Sequence, residues 1–71
     1  MGIIMEISKV IKTMRRETGM SQSKFSEHFG ISVRTLQQWE QGKSAPPEYV
    51  IRMMAYILSL EKITVHHEEQ L

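Results

Sequence analysis

The chain has 71 residues, a formal net charge of +1 and no cysteine. That length makes one small domain, which can bury only about 60% of its unfolded surface; it leaves room for a few short helices around one core and none for an enzyme domain with a deep cleft. Disulfides and cysteine-based zinc sites are excluded, no apolar run approaches the roughly 20 residues of a membrane helix, and with no signal segment in view a cytoplasmic location is expected.

Residues 4–17 show the first helical pattern. Ile7, Val10, Ile11 and Met14 recur at i, i+3, i+4 and i+7, with Lys9, Lys12 and Arg16 turned outward. Gly19 ends this segment. Ser21 then caps a second helix, residues 22–29, whose apolar pair is Phe25 and Phe29 one turn apart. Gly30 closes it, and Ile31 and Ser32 form a very short link into a third helix.

The third helix, residues 33–41, lies between the cap Ser32 and the stop Gly42. At about 100° per residue, Leu36 and Trp39 share one side, while Arg34, Gln38 and Gln41 share the other. Arg and Gln form bidentate hydrogen bonds to guanine and adenine edges in a DNA major groove. A solvated polar face would show the same pattern, so the preceding residues matter. Helix, tight glycine turn and helix make the unit that presents its second helix to DNA.

Pro46 and Pro47 are expected to start a fourth helix, because proline's missing N–H costs nothing there. Val50, Ile51, Met54, Ile57 and Leu58 give it a core face to about Leu60. Residues 62–71 read as a short tail. There Ile63 and Val65 alternate with polar neighbours, as in a short extended piece, although a fifth helix fits as well. The domain proper is therefore expected over residues 1–61.

Charge supports a nucleic-acid partner. Residues 9–43 carry Lys9, Lys12, Arg15, Arg16, Lys24, Arg34 and Lys43 against Glu17, Glu27 and Glu40, a surplus of four positive charges. Residues 44–71 carry Arg52 and Lys62 against Glu48, Glu61, Glu68 and Glu69, a deficit of two. The basic stretch contains the Arg/Gln helix, as an electrostatic footprint for phosphates requires.

These residues bring the resemblance into view. Residues 22–41 resemble the helix-turn-helix of the phage repressor, Cro and XRE family. Gln22 opens the first helix of the unit, and Phe25, Phe29, Ile31, Leu36 and Trp39 fill its buried positions. Gly30 stands at the turn, and Glu40-Gln41-Gly42 forms the ending Glu-X-Gly. The likeness covers about residues 5–60. One departure is Ser26, where the family usually has alanine: the helices can still cross closely, but the hydroxyl needs a partner. Within the family, Ser32 to Gly42 is most similar to antitoxin repressors.

The resemblance implies an all-α, lambda-repressor-like domain of four to five helices that regulates transcription as a repressor. It implies base contacts from Val33, Arg34, Gln37 and Gln38, and phosphate contacts from Gln22, Ser32, Gln41 and Lys43. It also implies an ion pair between Arg15 and Glu40 that bridges the first helix to the third. The expected partner is double-stranded DNA, bound as a homodimer on a palindromic operator. Leu58, Leu60, Ile63, Val65 and Leu71 either form the dimer seam or finish the core. The alternative is an antitoxin that neutralises a toxin protein and represses its own operon.

No catalytic group, cofactor site or metal site is expected. His66 and His67 are neighbours in sequence, so on a helix they would not share a face, and Ser26, Glu27 and His28 point in different directions for the same reason. Trp39 reads as a core anchor by its spacing from Leu36, and the six methionines read as flexible filler.

Overall fold

A computed structural model describes the backbone of residues 2–70 and the side chains of residues 6–61. The described chain is all-helical. It comprises α1 (Gly2–Thr18), α2 (Gln22–Phe29), α3 (Val33–Glu40) and α4 (Glu48–Gln70). The caps explain the two central boundaries. Ser21 and Ser32 each sit in extended backbone and accept a hydrogen bond from the N–H three residues on, that of Lys24 and of Thr35. At the end of α2, the N–H groups of Gly30 and Ile31 donate to the carbonyls of Glu27 and Ser26. At the end of α3, those of Gly42 and Lys43 donate to Trp39 and Gln38. Both are Schellman closures.

Gly30 has φ +71°, and a Cβ there would meet nothing within 4 Å. The turn therefore requires glycine for its backbone conformation and not for space. This left-handed residue lets the chain pass from α2 to α3 in two residues and sets the angle of the helix pair.

The core is small. Ile11 of α1, Phe25 of α2, Leu36 of α3 and Met54 of α4 are buried at its centre. Ile7, Met14, Met20, Phe29, Ile31, Trp39, Val50 and Leu58 pack around them. Each helix thus gives one residue to the centre, and α3 packs against both α1 and α2. The Phe25 and Phe29 rings lie 4.8 Å apart at a 55° tilt, the arrangement expected of aromatics one turn apart. Val10 differs from its sequence reading: it is exposed at the edge of the α1 stripe, because Ile7, Ile11 and Met14 already fill the face toward α3.

The fourth helix departs from expectation in two ways. It begins at Glu48, one residue after the prolines, and its first turn closes through the Val50 N–H on the Pro47 carbonyl. It then runs unbroken to Gln70, so residues 62–70 are neither an extended piece nor a separate fifth helix. No glycine or proline follows Pro47, so nothing in the sequence stops the helix. The side chains of Ile63, Val65, His66, His67 and Leu71 lie outside the described residues. Of the two roles expected for Leu58, the core role is the one seen.

Ser26 is 3% exposed, and its hydroxyl finds no hydrogen-bond partner among the described residues. A buried polar group without a partner costs about 1–3 kcal/mol. Replacing it also gains helix propensity, about 0.5 kcal/mol for alanine over serine. Ser26→Ala is therefore expected to stabilise the fold by at least about 1 kcal/mol. Denaturant unfolding checks this, with an unchanged slope and a raised midpoint as the expected result.

Candidate nucleic-acid interface

Helix α3 is seated by its apolar edge. Leu36 is fully buried, Trp39 packs half-buried against the same core, and Glu40 beside them is 5% exposed. The opposite edge carries Arg34, Gln38 and Gln41, all exposed, and Lys43 stands exposed just beyond the helix. Among the described residues, none of these four side chains makes a hydrogen bond or an ion pair. Val33 is exposed at the first position of the helix. A surface of this kind offers a guanidinium, two amides, an ammonium and an aliphatic group, all free to meet another molecule.

Two side chains, Arg15 and Gln22, converge on Glu40. The Arg15 guanidinium lies alongside the carboxylate, with Nε 2.7 Å from Oε2 and Nη2 3.1 Å from Oε1. Its Nη1 donates to the Met20 carbonyl at 3.2 Å. Gln22 donates from Nε2 to Glu40 Oε1 at 3.0 Å, and its own Oε1 accepts from Gln37 Nε2 at 3.3 Å. A chain of hydrogen bonds thus ties α1, the start of α2 and the middle of α3 together. It runs from a charged donor at one end to an exposed amide on α3 at the other.

Electrostatics reinforce this arrangement. Burial raises the Glu40 carboxyl, but the hydrogen bonds from Arg15 and Gln22, aided by the charges of Arg15 and Lys12, outweigh it and hold the group below its ordinary value. The hydrogen bond to Glu40 in turn raises Arg15, against the opposing effect of burial. The pair is therefore fully ionised at neutral pH. Its geometry is bidentate, which fixes direction as well as distance.

The structure distributes the sequence-selected residues unevenly. Arg15 and Glu40 are brought together, and Arg34, Gln38 and Gln41 share one open face. Gln22 is already engaged by Glu40 and Gln37, so its amide is not free in the isolated chain. The Ser32 hydroxyl caps α3 and also donates to Thr35 Oγ1 at 2.9 Å. The link from Gln22 to Glu40 and Gln37 was not legible in the sequence, because it joins residues 18 and 15 positions apart. Among the described residues no group of acidic residues and histidines is arranged to hold a metal ion, and no helix is long and apolar enough to cross a membrane.

Comparison with known proteins gives one firm result. A helix-turn-helix family model of the Cro and C1 type matches residues 11–58. Neither a curated protein nor a solved structure gave a match. The matched span runs from the buried Ile11 of α1 through the α2–turn–α3 unit to Leu58 of α4, so it contains the core, the Arg15–Glu40 pair and the open face of α3. The chain belongs to the XRE family of helix-turn-helix proteins, and it is a DNA-binding regulator of transcription.

Proposed function

We propose that the chain is a cytoplasmic repressor that lays α3 in the major groove of its operator and reads base edges there. The observation that carries this reading is the division of α3 into a buried edge, Leu36 and Glu40, and an open edge, Arg34, Gln38 and Gln41. Arg34 and Gln38 stand one turn apart at the centre of the open edge and take the base contacts, with Val33 placed to meet a thymine methyl and Gln37 at the margin. Phosphates are met by Lys43, by Gln41 and by the helix starts at Gln22 and Ser32, whose backbone N–H groups favour anions. At Gln22 that backbone route matters most, because the side chain already serves Glu40.

A single short helix gives a small interface, so the repressor acts as a dimer on a palindromic operator, with half-sites about 34 Å apart. The similarity of Ser32 to Gly42 to antitoxin repressors supports a second reading, in which the same chain also binds a toxin protein. Its mark would be a stable complex with a small basic toxin, leaving the operator contacts as they are.

Two variants test the groove reading. Arg34→Ala is expected to cost about 1–3 kcal/mol against the preferred site and to relax specificity at one base position. Lys43→Ala is expected to weaken binding to all sequences alike and to reduce the salt slope by about one. Fluorescence anisotropy with matched and mutated duplexes over a salt series separates the two. Equal, sequence-blind losses from both variants contradict base reading by Arg34.

A further inference from the structure

At about 100° per residue, Gln37 stands on α3 between the buried Glu40 and the open Arg34, roughly 60° from each. It is exposed, yet its amide is held. Gln37 Nε2 donates to Gln22 Oε1 at 3.3 Å, and Gln22 Nε2 donates to Glu40 Oε1 at 3.0 Å. The direction of each bond follows from the one before it. The Glu40 carboxylate carries no proton and can only accept. Gln22 must therefore turn its NH2 group toward Glu40, which leaves its carbonyl oxygen for Gln37. Gln37 must answer with its own NH2 group. Turning over either amide would set two acceptors against each other. The Gln37 nitrogen is thus drawn to the Glu40 side, and in a planar amide Oε1 lies on the other side, toward the open edge. That oxygen accepts no hydrogen bond among the described residues.

We propose, resting on the groove reading of α3 above, that Gln37 reads a base by accepting a hydrogen bond from an exocyclic amine, that of adenine or cytosine, and that Gln22 is the positioning residue that sets this preference. Every base pair shows one such amine in the major groove, N6 of adenine or N4 of cytosine, opposite the O4 of thymine or the O6 of guanine. A glutamine free to turn meets either kind of edge, with its oxygen or with its NH2 group. The held Gln37 cannot turn without giving up its bond to Gln22. It therefore selects the strand on which the amine lies. Adenine and cytosine are accepted there, whereas thymine and guanine set oxygen against oxygen. A phosphate, which only accepts, faces this oxygen no better, so Gln37 belongs with the base contacts and not with the backbone contacts.

Binding to a series of duplexes tests the assignment. The series takes the operator selected from random sequences and replaces each base pair in turn by the other three, with fluorescence anisotropy as the readout. In wild type, one position per half-site is expected to tolerate adenine and cytosine on the same strand. Thymine or guanine there should weaken binding roughly 3–10-fold, the value of one hydrogen bond. Gln37→Met should level the four bases at that position. Gln22→Met keeps the backbone N–H at the start of α2 but should level them as well, because the Gln37 amide can then turn over. A purely structural Gln22 would instead weaken binding to every duplex alike and leave the preference in place. Gln22→Met combined with Gln37→Glu should bring the preference back, since a carboxylate accepts whichever way it turns, with weaker binding throughout from the added negative charge.

Circular dichroism establishes that each variant is folded at the assay temperature. Gln37 is exposed, so Gln37→Met decides the matter should Gln22→Met fail to fold. Three results overturn the proposal: a Gln37-dependent position that prefers thymine or guanine, a loss from Gln37→Met that is equal on all duplexes, or a folded Gln22→Met protein with the wild-type preference. If Arg34→Ala still relaxes a position of its own in these cases, the groove reading stands and only the roles of Gln22 and Gln37 fall. If wild type selects no operator, both fall.

Discussion

Arg15→Ala is expected to lower the stability of the fold by about 3–5 kcal/mol, the cost of leaving a buried charge without its partner. Domains of this size have only about 4–10 kcal/mol in total, so the variant sits near the edge of folding. Glu40 is 5% exposed and would keep a single donor, Gln22. The loss should not be read as the net value of the pair, because burying both charges is itself costly. Arg15→Met combined with Glu40→Leu should therefore recover most of the stability.

The pH dependence has a defined sign. The folded state holds the Glu40 carboxyl below its ordinary value, so the group adds stability above the ordinary carboxylate range near pH 4 and loses it as pH falls through the lower folded value. In Arg15→Ala the burial remains while the main opposing effect is gone. The stability gap between the two proteins should then narrow as pH drops from 7 toward 4. Denaturant unfolding of both proteins across that range measures the gap, and a gap independent of pH contradicts the ionised pair.

Leu36→Ala is expected to cost about 2–5 kcal/mol, the usual range for emptying a fully buried leucine site. Leu36 is wholly buried, and it is the residue α3 contributes to the centre of the core. Its loss unseats the helix that carries Arg34 and Gln38. At about 4–8 °C per kcal/mol for a domain of this length, melting should fall by at least roughly 10 °C. DNA affinity measured well below the new midpoint should fall too. A variant that melts early yet binds normally at low temperature would show that the open face does not depend on this seat.

Much of this arrangement can be read from the sequence because local signals set it. Ser21, Gly30, Ser32 and Gly42 bound α2 and α3 through caps within a few residues, and Leu36 and Trp39 fix the buried edge by their spacing. The Arg15–Glu40 pair is legible only through the family resemblance, since no local rule joins residues 25 apart. The Gln22 and Gln37 hydrogen bonds depend on how α2 approaches α3, which no periodicity encodes. Helix α4 is the least legible element. Apolar residues lie around much of its circumference, so periodicity alone does not separate the core face of Val50, Met54 and Leu58 from the exposed stripe of Tyr49, Met53 and Tyr56; tertiary packing decides it. In sequence, residues 62–70 fit an extended piece as well as a helix, because the alternation of Ile63 and Val65 imitates a strand over too few residues; that the helix is a continuation of α4 is not legible there.

Selection of bound sequences from a pool of random duplexes, run in parallel on wild-type protein and on Arg34→Ala, tests the reading of α3 most directly. The expected result is a two-fold symmetric motif for wild type, and for the variant the same motif with information lost at one position in each half-site. Failure of wild type to enrich any motif, or recovery of the wild-type motif undiminished by Arg34→Ala, would contradict it.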